Sequence, residues 1–128
     1  MYLRDFVAKK HPKANQLIYD VYNAVSIVFS FSEKLQDAFC HIALYKKHVN
    51  FGFNRGAEIE KPELKLEGTG KLIRHYKVYD LQNVPEDKLS LLLNKASDIS
   101  LLNNPSLKRA TIEGKIFIKP TSGKKPRP

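Results

Sequence analysis

The chain has 128 residues and a mass of 14.7 kDa, the size of one domain. A fold of this size buries roughly two-thirds of its unfolded surface, enough for a core without disulfides or metal. With 42% apolar and 27% charged residues the composition is that of a globular protein. A single cysteine, Cys40, excludes an internal disulfide framework and any multi-cysteine zinc site. No apolar run approaches the ~20 residues of a membrane span. Met1 to Lys10 carries Arg4 and Asp5 among its apolar residues and does not read as a secretory leader, so a cytoplasmic setting without a membrane partner is expected.

Lys and Arg number 22 against 13 Asp and Glu, a formal charge of +9. A large share lies beyond Ile99, where Lys108, Arg109, Lys115, Lys119, Lys124, Lys125 and Arg127 face one acid, Glu113. Residues 121–128 combine charge with Gly123, Pro126 and Pro128 and are expected to be a disordered basic tail. Such a tail is a solubilising end or a nucleic-acid contact.

In chain order, Tyr2, Leu3, Phe6 and Val7 recur at helical spacing. Pro12 suits the first turn of a second helix, with Leu17, Ile18, Val21, Tyr22 and Val25 on its stripe. Strand character follows. Val25, Ile27, Phe29 and Phe31 alternate with Ser26, Val28, Ser30 and Ser32. Ala38, Cys40, Ile42 and Leu44 share one parity, and Val49, Phe51 and Phe53 continue after Lys46-Lys47. Short polar joints make these three runs an antiparallel meander. One apolar face would pack on the helices, leaving the other with serines, histidines and Asn50. Asn54 to Gly70, with Gly56, Pro62 and Gly68, reads as a long surface loop of the kind that carries function. A strand over Leu72 to Tyr79 is expected next. Pro85-Glu86-Asp87 opens a helix whose stripe is Leu89, Leu92, Leu93 and Ala96. Asn103-Asn104-Pro105 breaks it, and Thr111 to Lys119 can add one short strand. The expected architecture is α+β: an antiparallel sheet of about four to five strands backed by N-terminal helices and a C-terminal helix. Residues 1–100 would form the domain and 101–120 an extension.

The segments Asp37-Ala38-Phe39-Cys40-His41-Ile42-Ala43, Val49-Asn50-Phe51-Gly52-Phe53-Asn54-Arg55-Gly56-Ala57-Glu58, Leu66-Glu67-Gly68-Thr69-Gly70-Lys71 and Arg74-His75 resemble the YdhG-like domain family, a domain of unknown function. The resemblance spans roughly residues 14–98 and implies an α+β domain with an antiparallel sheet backed by helices. Some relatives are described as frataxin-like iron chaperones, a role that uses acidic helix surface. Here the predicted N-terminal helices carry Arg4, Lys9, Lys10 and Lys13 against Asp5 and Asp20.

The first candidate site is Asn50, Asn54, Arg55, Lys71, Arg74 and His75. If their strands are neighbours, two guanidiniums, an amine and an imidazole would converge on a carboxylate or phosphate. The competing reading is that Arg55 pairs with Glu58 or Glu67 and pins the loop. Glu67-Gly68-Thr69-Gly70-Lys71 lacks the spacing and following helix of a P-loop and reads as a turn needing positive φ or a nest for an anion. Cys40 and His41, adjacent on a strand, point to opposite faces and cannot easily share a metal. His41 and His48 could face each other across the hairpin, with His75 a third. Cys40, in an apolar run, would be inert, and Ser26, Ser30 and Ser32 lack a nucleophile elbow. Base stacking on an open sheet could use Phe39, Tyr45, Tyr76 and Tyr79. The expectation is a cytoplasmic binding domain, not an enzyme, without cofactor or resident metal, holding an anionic small ligand or an acidic partner between the polar sheet face and the 54–71 loop. The alternatives are a frataxin-like metal chaperone, a nucleic-acid accessory protein using the tail, and an enzyme of unknown class. An exposed sheet edge would allow a homodimer.

Overall fold

The computed structural model describes residues 2–21, 24–109 and 114–119. Helix α1 (Tyr2–Lys10) buries Leu3 and Val7, and its last turn passes a hydrogen bond from His11 N–H to the Val7 carbonyl at 2.8 Å before Pro12 stops it. Strands β1 (Asn15–Val21), β2 (Ala24–Ser30), β3 (Ala38–Leu44), β4 (Val49–Phe53) and β5 (Arg74–Val78) follow. Helix α2 (Glu86–Asn103) and strand β6 (Ile116–Lys119) complete the order. The protein is α+β, with one mixed sheet of six strands ordered β5-β4-β3-β2-β1-β6.

Two expectations are corrected here. The segment after Pro12 is not a second helix but strand β1, paired with β2 from Asn15↔Ser30 to Val21↔Ala24. Leu17 and Ile18 fit a helical stripe as well as a strand, and the cross-strand ladder with β2, helped by β-branched and aromatic side chains, decides between them. In the strand the two separate: Leu17 packs with Val28 and Ala38, while Ile18 faces the main core. The sheet is also not wholly antiparallel. The short last strand lies parallel to β1, Gln16↔Ile116 to Tyr19↔Lys119. Its start is pinned by Lys115 N–H to Asn15 Oδ1 at 2.9 Å and Gly114 N–H to the Lys13 carbonyl at 3.2 Å, which bring it in beside the start of β1. The strand expected from Leu72 begins two residues later, at Arg74. The expected tail at 121–128 lies outside the described residues.

The meander β2-β3-β4-β5 sets two opposite faces. Rows Phe29–Cys40–Phe53 and Ile27–Ile42–Phe51 point to the helices. They join Leu3, Val7, Leu89, Leu92, Leu93 and Ala96 in one core. Phe39 belongs to this core rather than to the open face. A β-bulge between Phe29 and Ser30 in the β2–β3 ladder lets it turn inward, where it stacks on Phe31 at 4.7 Å. The end of α2 is tied to the β2–β3 connection by the buried Asp37. Its backbone carbonyl accepts from Ser100 Oγ at 3.1 Å, its Oδ1 from Asn104 Nδ2 at 3.1 Å, and its Oδ2 from Ser32 Oγ at 2.8 Å. Among the described residues no helix is long and apolar enough to cross a membrane.

Phe51 and Phe53 have no exposed surface and sit at the centre of the helix-facing rows. Phe51→Ala is expected to cost about 3–5 kcal/mol in urea unfolding, whereas Leu102→Ala, on the exposed side of α2, stays within about 0.5 kcal/mol.

Candidate functional site

The opposite face of the sheet is not uniformly polar. Strand register places Leu17, Val28, His41, Gly52 and His75 in one row across five strands. At the β1–β2 side of this row Leu17, Val28 and Ala38 are buried as a second, smaller cluster, with Tyr19 and Phe117 packed against it. The face expected to be polar is therefore apolar in part: Val28, placed with the serines by alternation, forms a hydrophobic floor.

The loop between β4 and β5 walls that floor. Its length suggests slack, but it is anchored. Ile59 is buried, and Leu64 and Leu66 pack on the main core. Glu67 and His75 exchange two backbone hydrogen bonds of 2.8 Å, and Ala57 N–H donates to the Leu72 carbonyl at 2.8 Å. Gly68 takes the positive φ of 139° that a turn glycine permits. The turn at 70–73 is held from inside by Arg74, whose Nη1 donates to the Gly70 and Ile73 carbonyls at 2.7 Å each.

Between this wall and the sheet runs a groove of about 540 Å³, within the range of small-molecule sites. Its floor is Ser26 and Val28 of β2 with Ala38 and His41 of β3. One end is closed by Leu35 and Gln36, the other wall is Gly70, Lys71, Leu72 and Ile73, and Asn54 and Arg55 fill the corner.

Of the six residues predicted for the site, Asn54, Arg55 and Lys71 line this groove; Asn50, Arg74 and His75 do not. Arg55 spends its fork on Glu58, with Nε to Oε1 at 2.9 Å and Nη2 to Oε2 at 2.7 Å. That pair raises the Arg55 pKa and lowers that of Glu58, so the loop-pinning reading describes Arg55. Arg74 braces the turn, and the Asn50 Oδ1 is buried without a partner. The predicted convergence of two guanidiniums does not form. Lys71 is exposed at the rim and has no hydrogen bond or ion pair among the described residues.

His41, expected on the polar face and considered there as a metal ligand, is the titratable side chain of the groove floor. Its imidazole lies over Gly52, where any Cβ would meet the ring. Its Nδ1 lies 3.0 Å from Asn54 Oδ1. With a carbonyl oxygen facing it, Nδ1 carries the proton and Nε2 keeps the lone pair. Burial lowers the His41 pKa below 6.5, outweighing the Asn54 hydrogen bond, and His75 pushes the same way. The signal in the sequence was Gly52, a glycine inside a strand, which often marks a close approach.

His41 and His48 do not face each other. His41 stands opposite Gly52, and His48 stacks on Tyr45. Among the described residues no group of three or more His, Cys, Asp and Glu is placed to hold a metal. Burial pushes the Cys40 thiol well up. No family model matches the chain, and no curated protein or solved structure is significantly similar to it.

Two outcomes follow from the His41–Gly52 contact. Gly52→Ala is expected to destabilise by about 1–3 kcal/mol, and by much less in a His41→Ala background, as urea unfolding of the four forms would measure; additive losses would contradict the contact. The folded-state pKa of His41, and of His11, which burial also lowers, lies below the unfolded value near 6.5. Unfolded chains therefore bind more protons in that window, so stability is full above about pH 6.5 and declines as pH falls towards the folded pKa. His41→Gln removes its share of the slope.

Proposed function

We propose that the chain is a binding domain for an amphipathic small molecule with an apolar body and an anionic end. The observation that carries this reading is the makeup of the groove. Val28, Ala38, Leu72 and Ile73 offer apolar contact along its length, and the unpaired Lys71 ammonium stands at its rim. An apolar body would gain on the order of 25 cal/mol per Å² of surface removed from water. Lys71 would favour a carboxylate or phosphate end over a neutral one. The His41 Nε2 lone pair would accept one hydrogen bond from the ligand and so orient it.

The proposal is narrower than a cluster of guanidiniums around an anion, since Arg55 and Arg74 hold the wall and leave Lys71 as the charged contact. Kinship with YdhG-like domains is part of it. Among the residues that carry that resemblance, Asn54, Gly70 and Lys71 line the groove, Arg74 braces the 70–73 turn, and Gly52 lies against His41.

A thermal-shift series with octanoate, octanol and acetate tests the reading. Octanoate should raise Tm most, octanol less and acetate not at all; saturation at about 100 times Kd corresponds to about 2.7 kcal/mol. Lys71→Ala should reduce the octanoate shift to that of octanol, and Ile73→Glu should abolish both. No shift with octanoate, or a shift indifferent to both substitutions, would refute the proposal.

A further inference from the structure

Beyond the groove, the open face of the sheet ends in a row of rings. The last paired row, Leu44–Val49–Val78, points to the helices. The next residue out on each strand therefore points the other way, and these are Tyr45, His48 and Tyr79. Their rings stand side by side across three strands. Tyr45 and His48 are stacked at 4.9 Å with 13° between their planes, and His48 and Tyr79 lie 5.8 Å apart at 42°. The column is held on the backbone by Tyr45 N–H donating to the His48 carbonyl at 3.0 Å. Its two end rings are open to solvent, Tyr79 being 72% exposed and Tyr45 38%.

The charge beside the column is mostly positive. Lys46 and Lys47 form the exposed turn between Tyr45 and His48. Lys77, one step back from Tyr79 on the same face, pairs in the ladder with Asn50. None of the three lysines has an ion pair among the described residues. The neighbouring acid, Asp80, caps the turn that follows it: Oδ1 accepts from Gln82 N–H at 2.9 Å and Oδ2 from the Asn83 side-chain amide at 2.6 Å.

We propose that Tyr45, His48 and Tyr79, with Lys46 and Lys47, form a docking platform for single-stranded nucleic acid. Unpaired bases extend the ring column from its open ends, and the turn lysines meet the phosphates that follow. A tyrosine face accepts any base, so the platform is tolerant of sequence. A duplex hides its base faces and gains only the phosphate contacts. This site is independent of the groove and of the chain's basic end.

Fluorescence anisotropy of the full chain with labelled oligonucleotides of about twelve nucleotides tests it, using single-stranded RNA, single-stranded DNA and a duplex of the same sequence. Both single strands should bind more tightly than the duplex, the RNA and DNA arms showing whether the sugar matters. Tyr79→Leu and Tyr45→Leu should each weaken single-strand binding on the order of fivefold or more, while Tyr79→Phe keeps it. Lys46→Ala with Lys47→Ala should flatten the salt dependence by about one to two phosphates. These side chains are exposed, and unchanged unfolding curves would certify the fold. Binding that is absent, equally tight for the duplex, or unaltered by both leucine variants would overturn the proposal.

Discussion

Two helices cover one face of a six-stranded sheet and leave the other to its own side chains. Alternation along each strand then sorts the sequence residue by residue. On one side Phe29, Phe51 and Phe53 meet Leu89, Leu92 and Leu93 in a core with almost no exposed surface. On the other, the chain must build whatever cover and chemistry that face will have. It does so unevenly. Leu17, Val28 and Ala38 form a small buried floor, His41 lies on Gly52, and rings line the far end. Groove, imidazole and ring column are three parts of one uncovered surface.

The loop from Asn54 to Ile73 turns part of that surface into a concave one. A free loop of this length would blur any site it borders. This one is fixed by apolar anchors at Ile59, Leu64 and Leu66 and by the Glu67–His75 pairing that lengthens the sheet edge. Its two arginines serve the same end. Arg55 closes on Glu58, and Arg74 fills the carbonyls of the 70–73 turn. Charge that looks like ligand recognition in the sequence is used to stiffen a wall, and the ammonium left over, Lys71, stands where the wall meets solvent.

How much of this could be read from residues alone depends on the range of the forces involved. The helix over Glu86–Asn103 was legible because its stripe, its acidic first turn and its closing Asn104-Pro105 are all local. The meander was legible from alternation and short polar joints. The segment Asn15–Val21 was not, because its local spacing suits a helix as well and only pairing with β2 on one side and β6 on the other decides it. Phe39 was misplaced by one residue's worth of parity, the effect of a bulge that no pattern announces. Asn54, Arg55 and Lys71, which the sequence clusters near a long loop, line the groove. The place of His41 in the groove is not legible locally because it depends on Gly52, across the hairpin, and on Asn54 beyond it.

The central claim is that the surface facing away from the helices holds a preformed groove with a fixed, neutral imidazole in its floor. Two-dimensional amide NMR of the labelled chain during titration with octanoate tests this most directly. The account predicts shifts confined to Ser26, Val28, Ala38, His41, Asn54 and the 70–73 turn, with the core rows around Phe51 unmoved. Shifts spread over α2 and the helix-facing rows, or no shift along the groove at saturating octanoate, would contradict it.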